Sequence, residues 1–322
     1  MRKLWKTSLV ATSVMAAGVL ASAADPPPWA YARNAPNQHV EPDDGKARSV
    51  PGSTRTYTLK EIRNGFSPPD WHPDDHPPMP DVVGRGRAPD VRACGYCHLP
   101  SGIGKPENAA VAGLPVAYFK QQIADFKSGA RRSSVPDIPP QALMLKTALA
   151  ASDAEIEAAA EYFAKLPPMR PGWITVKEVA TVPKMTVAGS IVVPDGSGQT
   201  EPIGQRVLET ATDFARTELR DAHAGYVAYV PVGSIKKGEQ LVTTGGGGRT
   251  MQCNICHGTD LKGLGDVPRI AGLSPTYVVR QLFDIQAGTR NGPGAALMKG
   301  AVAKLTEDDM VAMAAYLGSL AP

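Results

Sequence analysis

The chain has little net charge, only one long apolar run and only four cysteines. Its 34 lysine and arginine residues nearly balance 31 aspartate and glutamate residues, for a formal charge of +3. Three cations, Arg2, Lys3 and Lys6, lie in a segment that we expect to be removed, which leaves 31 cations against 31 anions. A protein that binds phosphate backbones needs a basic surface, so we predict no nucleic-acid partner.

The apolar run extends from Leu9 to Leu20, directly after the N-terminal cations. At 12 residues it is too short to span a bilayer, which takes about 20 residues. The small residues Ala21-Ser22-Ala23 follow it, and this order is typical of a secretory signal peptide. We therefore predict a signal peptide over residues 1–23 with cleavage after Ala23, a periplasmic mature protein, and no transmembrane segment after removal of the signal.

All four cysteines lie in two copies of Cys-x-x-Cys-His, at residues 94–98 and 253–257, so none is left for a disulfide or a catalytic thiol. A zinc site would place the two pairs about 15–20 residues apart, whereas 155 residues separate Cys97 from Cys253. A thioredoxin-like redox motif does not require the histidine. The pentapeptide is the attachment signature of c-type haem, in which both thiols and the imidazole reach one porphyrin. We predict two covalently bound haem c groups, held through Cys94, Cys97, Cys253 and Cys256, with His98 and His257 as iron ligands.

The two motifs belong to an internal repeat. At an offset of 159 residues, the residues that coincide are Gly113 with Gly272, Tyr118 with Tyr277, Gln122 with Gln281, Asp125 with Asp284, Gly129 with Gly288 and Arg131 with Arg290. After a loop that differs by five residues the offset is 154, and the coinciding pairs are Met144 with Met298, Ser152 with Thr306, and Tyr162 with Tyr316. A repeat of this length indicates two copies of one structural unit, and we predict one haem in each.

Helical signals recur at matching places in both copies. Residues 117–128 and 276–287 have apolar side chains at helical spacing, and a glycine closes each segment. Ser152 with Glu155, and Thr306 with Asp309, predict capping boxes at the start of a last helix, and Thr58 with Glu61 predicts another upstream of the first motif. Each unit is thus expected to contain a short helix, the haem motif, a middle helix, a methionine loop and a final helix.

The repeat also selects the sixth iron ligand. Of ten methionines, only Met144 and Met298 occupy equivalent positions in both copies. They follow the ligating histidine by 46 and 41 residues, which is a suitable distance for a loop over the distal haem face. Met310 and Met313 coincide with Ile156 and Ala159, so we interpret them as apolar helix residues. We predict Met144 and Met298 as axial ligands, a type of ligation that raises the reduction potential.

The two units resemble class I cytochromes c, and their tandem order resembles the soluble bacterial di-haem cytochromes of the c-four type. The resemblance covers roughly residues 90–166 and 233–320. It implies a mainly α fold, with two class I cytochrome c domains joined by a small β-rich insertion. It further implies that the Pro268 carbonyl accepts a hydrogen bond from His257. The first copy has Ala109 at the proline position and Leu99 in place of Gly258, so we expect a different carbonyl to serve His98. Arg131 and Arg290 are candidates to pair with haem propionates.

We predict an extended N-terminal arm at 24–57, a first cytochrome c domain at 58–166 and a second at 233–322. Between them, residues 167–232 contain short β-branched runs bounded by proline, glycine and aspartate, which predict a β-rich insertion. It serves either as a docking surface or as a packing element. In the first domain, His72 and His76 flank two aspartates, an arrangement that fits a metal site, an axial haem ligand or an ordinary surface loop.

These features favour a periplasmic electron carrier with no catalytic residue. Two haems in one chain suit a two-electron donor, so the expected partners are redox proteins such as a dehydrogenase, an oxidase or another cytochrome, with a quinol as a further donor. The alternative is a di-haem enzyme of the peroxidase or thiosulfate-oxidising type, in which one haem is the substrate site. Such an enzyme needs an exchangeable or unusual axial position, and the matching methionines count against one.

Overall fold

The computed structural model describes residues 25–34 and 41–322. The predicted signal peptide and its cleavage site therefore lie outside the described residues. Within those two ranges, no helix is both long enough and apolar enough to cross a membrane.

The described residues form a mainly helical fold with one region of β-sheet. The helices are α1 (Leu59–Ile62), α2 (Asp81–Gly84), α3 (Cys94–His98), α4 (Val116–Ser128), α5 (Pro139–Ala150), α6 (Asp153–Ala164), α7 (Phe214–Glu218), α8 (Ser234–Thr244), α9 (Asn254–His257), α10 (Pro275–Gln286), α11 (Pro293–Val302) and α12 (Glu307–Ser319). The strands are β1 (Ile174–Val179), β2 (Thr181–Pro183), β3 (Met185–Ala188), β4 (Ile191–Pro194), β5 (Thr200–Pro202), β6 (Leu208–Ala211) and β7 (Tyr226–Pro231). Short 3-10 turns occupy Pro28–Ala30 and Pro73–Asp75.

Helices α3 to α6 of the first repeat correspond in order to α9 to α12 of the second. The three predicted capping boxes are confirmed. The side chains of Thr58, Ser152 and Thr306 each accept a hydrogen bond from the backbone N–H three residues on, and the carboxylate of that residue accepts one from the backbone N–H of the capping residue. This arrangement satisfies backbone donors that a helix start leaves free. The predicted methionine loops are wrong as local structure, because Met144 and Met298 lie inside α5 and α11. A proline at the start of each segment favours a helix there.

The strands build two sheets between residues 174 and 231. Five strands lie in the order β1-β7-β6-β4-β3, and β2 pairs with β5 separately. The edge strand β1 runs parallel to β7, with Ile174 opposite Tyr226 and Val179 opposite Pro231. The first and the last strand of the larger sheet along the chain are thus neighbours, although 46 residues lie between β1 and β7 in the sequence.

The sheet packs onto the second repeat. Trp173 and Tyr226, whose rings meet edge to face with centroids 5.5 Å apart, share a hydrophobic core with residues of α8, α10 and α12. Helices α8 and α12 cross very closely at Gly238, where a β-carbon would overlap the carbonyl oxygen of Ala312. Glycine is required at this crossing because any side chain would push the helices apart.

The N-terminal arm also docks on the second repeat. Trp29 Nε1 donates to Glu307 at 2.8 Å, and the Tyr31 hydroxyl donates to Asp284 at 2.6 Å. Ala30 and Tyr31 are almost completely buried in the core of the second repeat. The first described part of the arm is thus a packed 3-10 turn, since the Tyr31 ring meets Phe283 of α10 edge to face and Trp29 bonds to Glu307 of α12.

Candidate haem centres

The first haem motif forms the short helix α3. Its His98 ring donates from Nδ1 to the Ala109 carbonyl oxygen at 2.8 Å, and the surrounding burial lowers the pKa of His98. Among the described residues none hydrogen-bonds to Nε2. A neutral imidazole whose Nδ1–H is bound to a carbonyl presents the lone pair of Nε2, which is the form that binds a metal.

The second motif repeats this arrangement. The Nδ1 atom of His257 lies 2.7 Å from the Pro268 carbonyl oxygen, and burial lowers the pKa of this histidine as well. The hydrogen bond implied by the resemblance is therefore present. The expectation of a different carbonyl for His98 is wrong, because Ala109, at the proline position, makes the equivalent bond. The contact uses a backbone oxygen, which alanine supplies as well as proline.

The surroundings of Cys94 and Cys253 fit an apolar prosthetic group. Burial raises the pKa of the Cys94 thiol to about 12 and that of Cys253 to about 11, so both are neutral. In the second repeat, Ile255 inside the motif is 62% exposed and Leu297 beside Met298 is 82% exposed. These are large apolar side chains that the described protein leaves uncovered, and a porphyrin would cover apolar surface of this kind.

Arg269 is the strongest sign of an anionic group in the second repeat. Its side chain is 7% exposed, and none of its three guanidinium nitrogens has a partner among the described residues. Burial lowers its pKa to about 10. A buried, unpaired charge is costly, so a carboxylate such as a haem propionate suits this position. Arg269 is not among the site residues predicted from the sequence, although it directly follows Pro268; it coincides with Ala110 in the first copy.

Each candidate methionine ligand packs against apolar side chains that also reach the haem motif of its repeat. Met144 packs with Ile123, Phe126 and Ile156, and Phe119 touches the same cluster. Phe119 stacks on Phe163, whose ring centroid lies 6.4 Å from that of His98. In the second repeat Met298 and Cys253 contact one core. There, the Thr250 hydroxyl donates to the Ala301 carbonyl at 2.7 Å, which ties α11 to the motif. Ligation by Met144 and Met298 stays a prediction.

Arg131 and Arg290 join the two repeats. Arg131 donates to Gln122 at 2.9 Å and to Gln281 at 3.2 Å. Arg290 donates to Gln281 at 3.0 Å, to Gln122 at 2.9 Å and to the Tyr118 hydroxyl at 2.8 Å. Each arginine thus bonds to a glutamine of its own repeat and of the other. The Nε atom of Arg290 is buried without a partner in the described chain, and pairing with propionates stays a prediction.

The upstream histidines are both engaged with carboxylates. His72 Nε2 lies 2.9 Å from Asp221. The two ring nitrogens of His76 contact the Pro77 carbonyl at 3.0 Å and Asp70 at 3.2 Å. With both nitrogens occupied, His76 has no lone pair to offer to iron in this arrangement.

Comparison with known proteins agrees with this geometry. A model of the family described as cytochrome c matches residues 235–321. A cytochrome c4 from Stutzerimonas stutzeri is 31% identical over 38% of this chain, and the match covers 65% of the relative, so this chain spans slightly less than two thirds of it. A thiosulfate dehydrogenase electron acceptor from Thiomonas intermedia is 25% identical over 72% of this chain and 80% of its own length.

A smaller relative is matched over most of its length. Cytochrome c-554(548) from Halomonas halodenitrificans is 38% identical to 21% of this chain, and that match covers 82% of the relative. Together with the paired motifs and their carbonyl-bound histidines, these similarities establish the family. The chain belongs to the cytochrome c family and is homologous to the di-haem cytochromes c4.

Proposed function

We propose that this protein is a periplasmic di-haem electron carrier made of two cytochrome c domains, residues 58–166 and 233–322. In each domain two cysteines would hold the porphyrin, and His98 or His257 would bind iron from one side and Met144 or Met298 from the other. The observation that carries the proposal is the Nδ1–carbonyl hydrogen bond of both histidines, at 2.8 and 2.7 Å. It leaves the same nitrogen, Nε2, available in both repeats.

Haem c supplies a one-electron iron couple. The chain's own residues would set its potential through axial thioether ligation, burial and neighbouring charge. Arg269 would hold a propionate of the second haem, and no charged residue takes the corresponding place in the first repeat, where Ala110 stands. We infer that the two centres differ in potential, with the positive charge favouring the reduced form of the second.

The boundary between the repeats supports electron exchange within the chain. Arg131, Arg290 and their two shared glutamines hold the repeats through short polar contacts. Such a boundary fixes the relative position of two groups bound on either side of it. A fixed spacing suits successive one-electron steps from one donor.

The donor that we propose is a periplasmic oxidoreductase. Two relatives bear the name thiosulfate dehydrogenase electron acceptor, from Stutzerimonas stutzeri and Thiomonas intermedia. Those names support a donor of the thiosulfate-oxidising class for this chain. The protein described here would then receive the electrons that the enzyme withdraws when it oxidises its substrate.

The first test is optical and magnetic spectroscopy of the purified, haem-loaded protein. Two haems per chain by mass, both low-spin and both inert to carbon monoxide after reduction, would support the carrier. Met144→Ala and Met298→Ala should each convert one haem to a form that binds carbon monoxide, whereas Met313→Leu, a buried methionine of α12, should convert neither. A wild-type haem that binds carbon monoxide would contradict the carrier and favour the di-haem enzyme.

A further inference from the structure

A cluster of histidine and aspartate side chains lies apart from both haem motifs. His72 precedes α2, and His223 follows α7 in the insertion. Their rings stack with centroids 3.7 Å apart and an angle of 10° between the planes. Asp75 reaches the same point, with an Oδ2 atom 2.6 Å from His223 Nε2. One ligand atom from each of these three residues lies within 4.8 Å of the other two.

A second carboxylate, that of Asp221, holds the two histidines in place. The Asp221 side chain is completely buried and accepts from His72 Nε2 at 2.9 Å. It also accepts from the backbone of His223 at 2.8 Å and from Arg216 Nε at 2.7 Å. A carboxylate that holds one ring nitrogen fixes the ring and makes its other nitrogen a better ligand.

The local charge favours a cation. Arg216 balances Asp221, whereas no lysine or arginine among the described residues pairs with Asp75, whose carboxylate lies 2.6 Å from His223. The cluster presents two imidazoles and one carboxylate, which is the donor set of many zinc sites.

We propose that His72, Asp75 and His223 bind one divalent transition-metal ion of the zinc class, with Asp221 as the residue that orients His72. Binding requires the hydrogen bond between His223 and Asp75 to open and the His223 ring to rotate against the His72 ring, so that three donor atoms converge on one point. Imidazole donors favour zinc, copper and nickel, whereas magnesium prefers oxygen donors.

The ion would fasten the insertion to the segment before the first haem motif. Neighbouring contacts already connect the same two parts of the chain: Trp71 Nε1 donates to the Leu219 carbonyl at 2.7 Å. Arg220 donates to the Tyr96 carbonyl at 2.6 Å and lies 3.6 Å above the Tyr96 ring, inside the motif itself. Metal binding at this place would stabilise the folded protein, because it favours only the folded state.

The experiment is calorimetric titration of the chelator-treated, haem-loaded protein with zinc chloride. We expect saturable binding of one zinc ion per chain and a higher unfolding temperature when zinc is present. His223→Ala should weaken binding by about 100-fold or more, and Asp221→Asn by roughly 10- to 100-fold, as expected when an orienting residue is lost. Because His223 is partly exposed, we expect the His223→Ala variant to fold. An unchanged haem spectrum verifies this.

The matched control is His76→Gln, which removes a neighbouring histidine bound to Asp70 outside the cluster. It should leave zinc affinity unchanged. The proposal is overturned if zinc does not bind saturably, if His223→Ala binds as tightly as the wild type, or if magnesium chloride binds with equal affinity. Haem content and potentials are measured separately, so this outcome does not depend on the electron-carrier proposal.

Discussion

Leu99 and Gly258 hold equivalent backbone positions with the same unusual conformation. Leu99 has φ 63° and ψ 156°, and Gly258 has φ 84° and ψ 155°. A non-glycine residue in this region is strained, typically by about 1–3 kcal/mol. Leu99 is 2% exposed and belongs to the main hydrophobic core, so its burial offsets the strain. Each residue directly follows the histidine, and the chain turns there toward the carbonyl that binds the ring.

Gly258→Ala should therefore destabilise the protein by about 1–3 kcal/mol. The new β-carbon would lie 2.6 Å from the Gly263 carbonyl oxygen, in addition to the backbone strain. Gly294 is the control, because it lies inside α11 and a β-carbon there meets nothing within 4 Å. Gly294→Ala should stabilise by about 0.4–1 kcal/mol. Denaturant unfolding measures both, and equal effects of the two variants would contradict the explanation.

Arg290→Met should lower the free energy of unfolding by roughly 1.5–3 kcal/mol, the usual contribution of hydrogen bonds to charged groups. The variant loses bonds to Gln281, Gln122 and Tyr118, and this loss outweighs the relief of repulsion from Arg131. Arg85→Met, at an exposed position, should change stability by less than about 0.5 kcal/mol. If Arg290→Met were as stable as Arg85→Met, the polar contacts between the repeats would not hold them together.

Arg269→Met should lower one of the two reduction potentials of the haem-loaded protein and leave the other nearly unchanged. Removal of a positive charge near iron disfavours the reduced form, and the first repeat has no equivalent arginine. A potentiometric titration resolves the two centres. Lys236→Met, which removes an exposed cation of α8, is expected to shift neither. A uniform shift of both potentials, or no shift, would rule out a local role for Arg269.

Glu209 should make stability depend on pH. It is 3% exposed, and burial raises its pKa above the ordinary value of 4.5, despite hydrogen bonds from Ser274 and Thr276. The folded state thus holds a proton that the unfolded chain releases above about pH 4.5. The stability that Glu209 contributes through this proton is therefore present below that pH and is lost as the pH rises toward the pKa of the folded state.

Glu209→Gln removes the titration, so the variant should gain stability relative to the wild type as the pH increases from 4.5 to 8, with the smallest difference at the acidic end. Thermal unfolding across this range measures the difference. The exposed residue Glu161 provides the control, and Glu161→Gln should follow the wild-type curve. A constant difference between Glu209→Gln and the wild type at every pH would contradict the raised pKa.

Local signals in the sequence are sufficient to predict the helix starts at Thr58, Ser152 and Thr306, because each capping box lies within four consecutive residues. The β-branched runs likewise indicated strands. The sequence predicts loops at Met144 and Met298 instead of the helices found there, because the number of residues after the histidine does not distinguish a loop from a helix. Contacts between distant residues, such as His72 with His223 or Tyr31 with Asp284, leave no local pattern. They arise only when the insertion and the arm pack on the repeats.

The parallel pairing of β1 with β7 also limits how this protein can vary during evolution. The chain enters the sheet at Ile174 and leaves it at Pro231, at opposite ends of two adjacent strands. Because β1 and β7 are parallel, the chain that connects them must return along the length of one strand, which is about 17 Å for six residues. A homologue with a shorter insertion would therefore still need at least five or six extended residues between the two strands. Insertions and deletions among homologues should therefore fall between residues 180 and 225, where hairpins and loops can change length, while the two adjacent strands keep theirs.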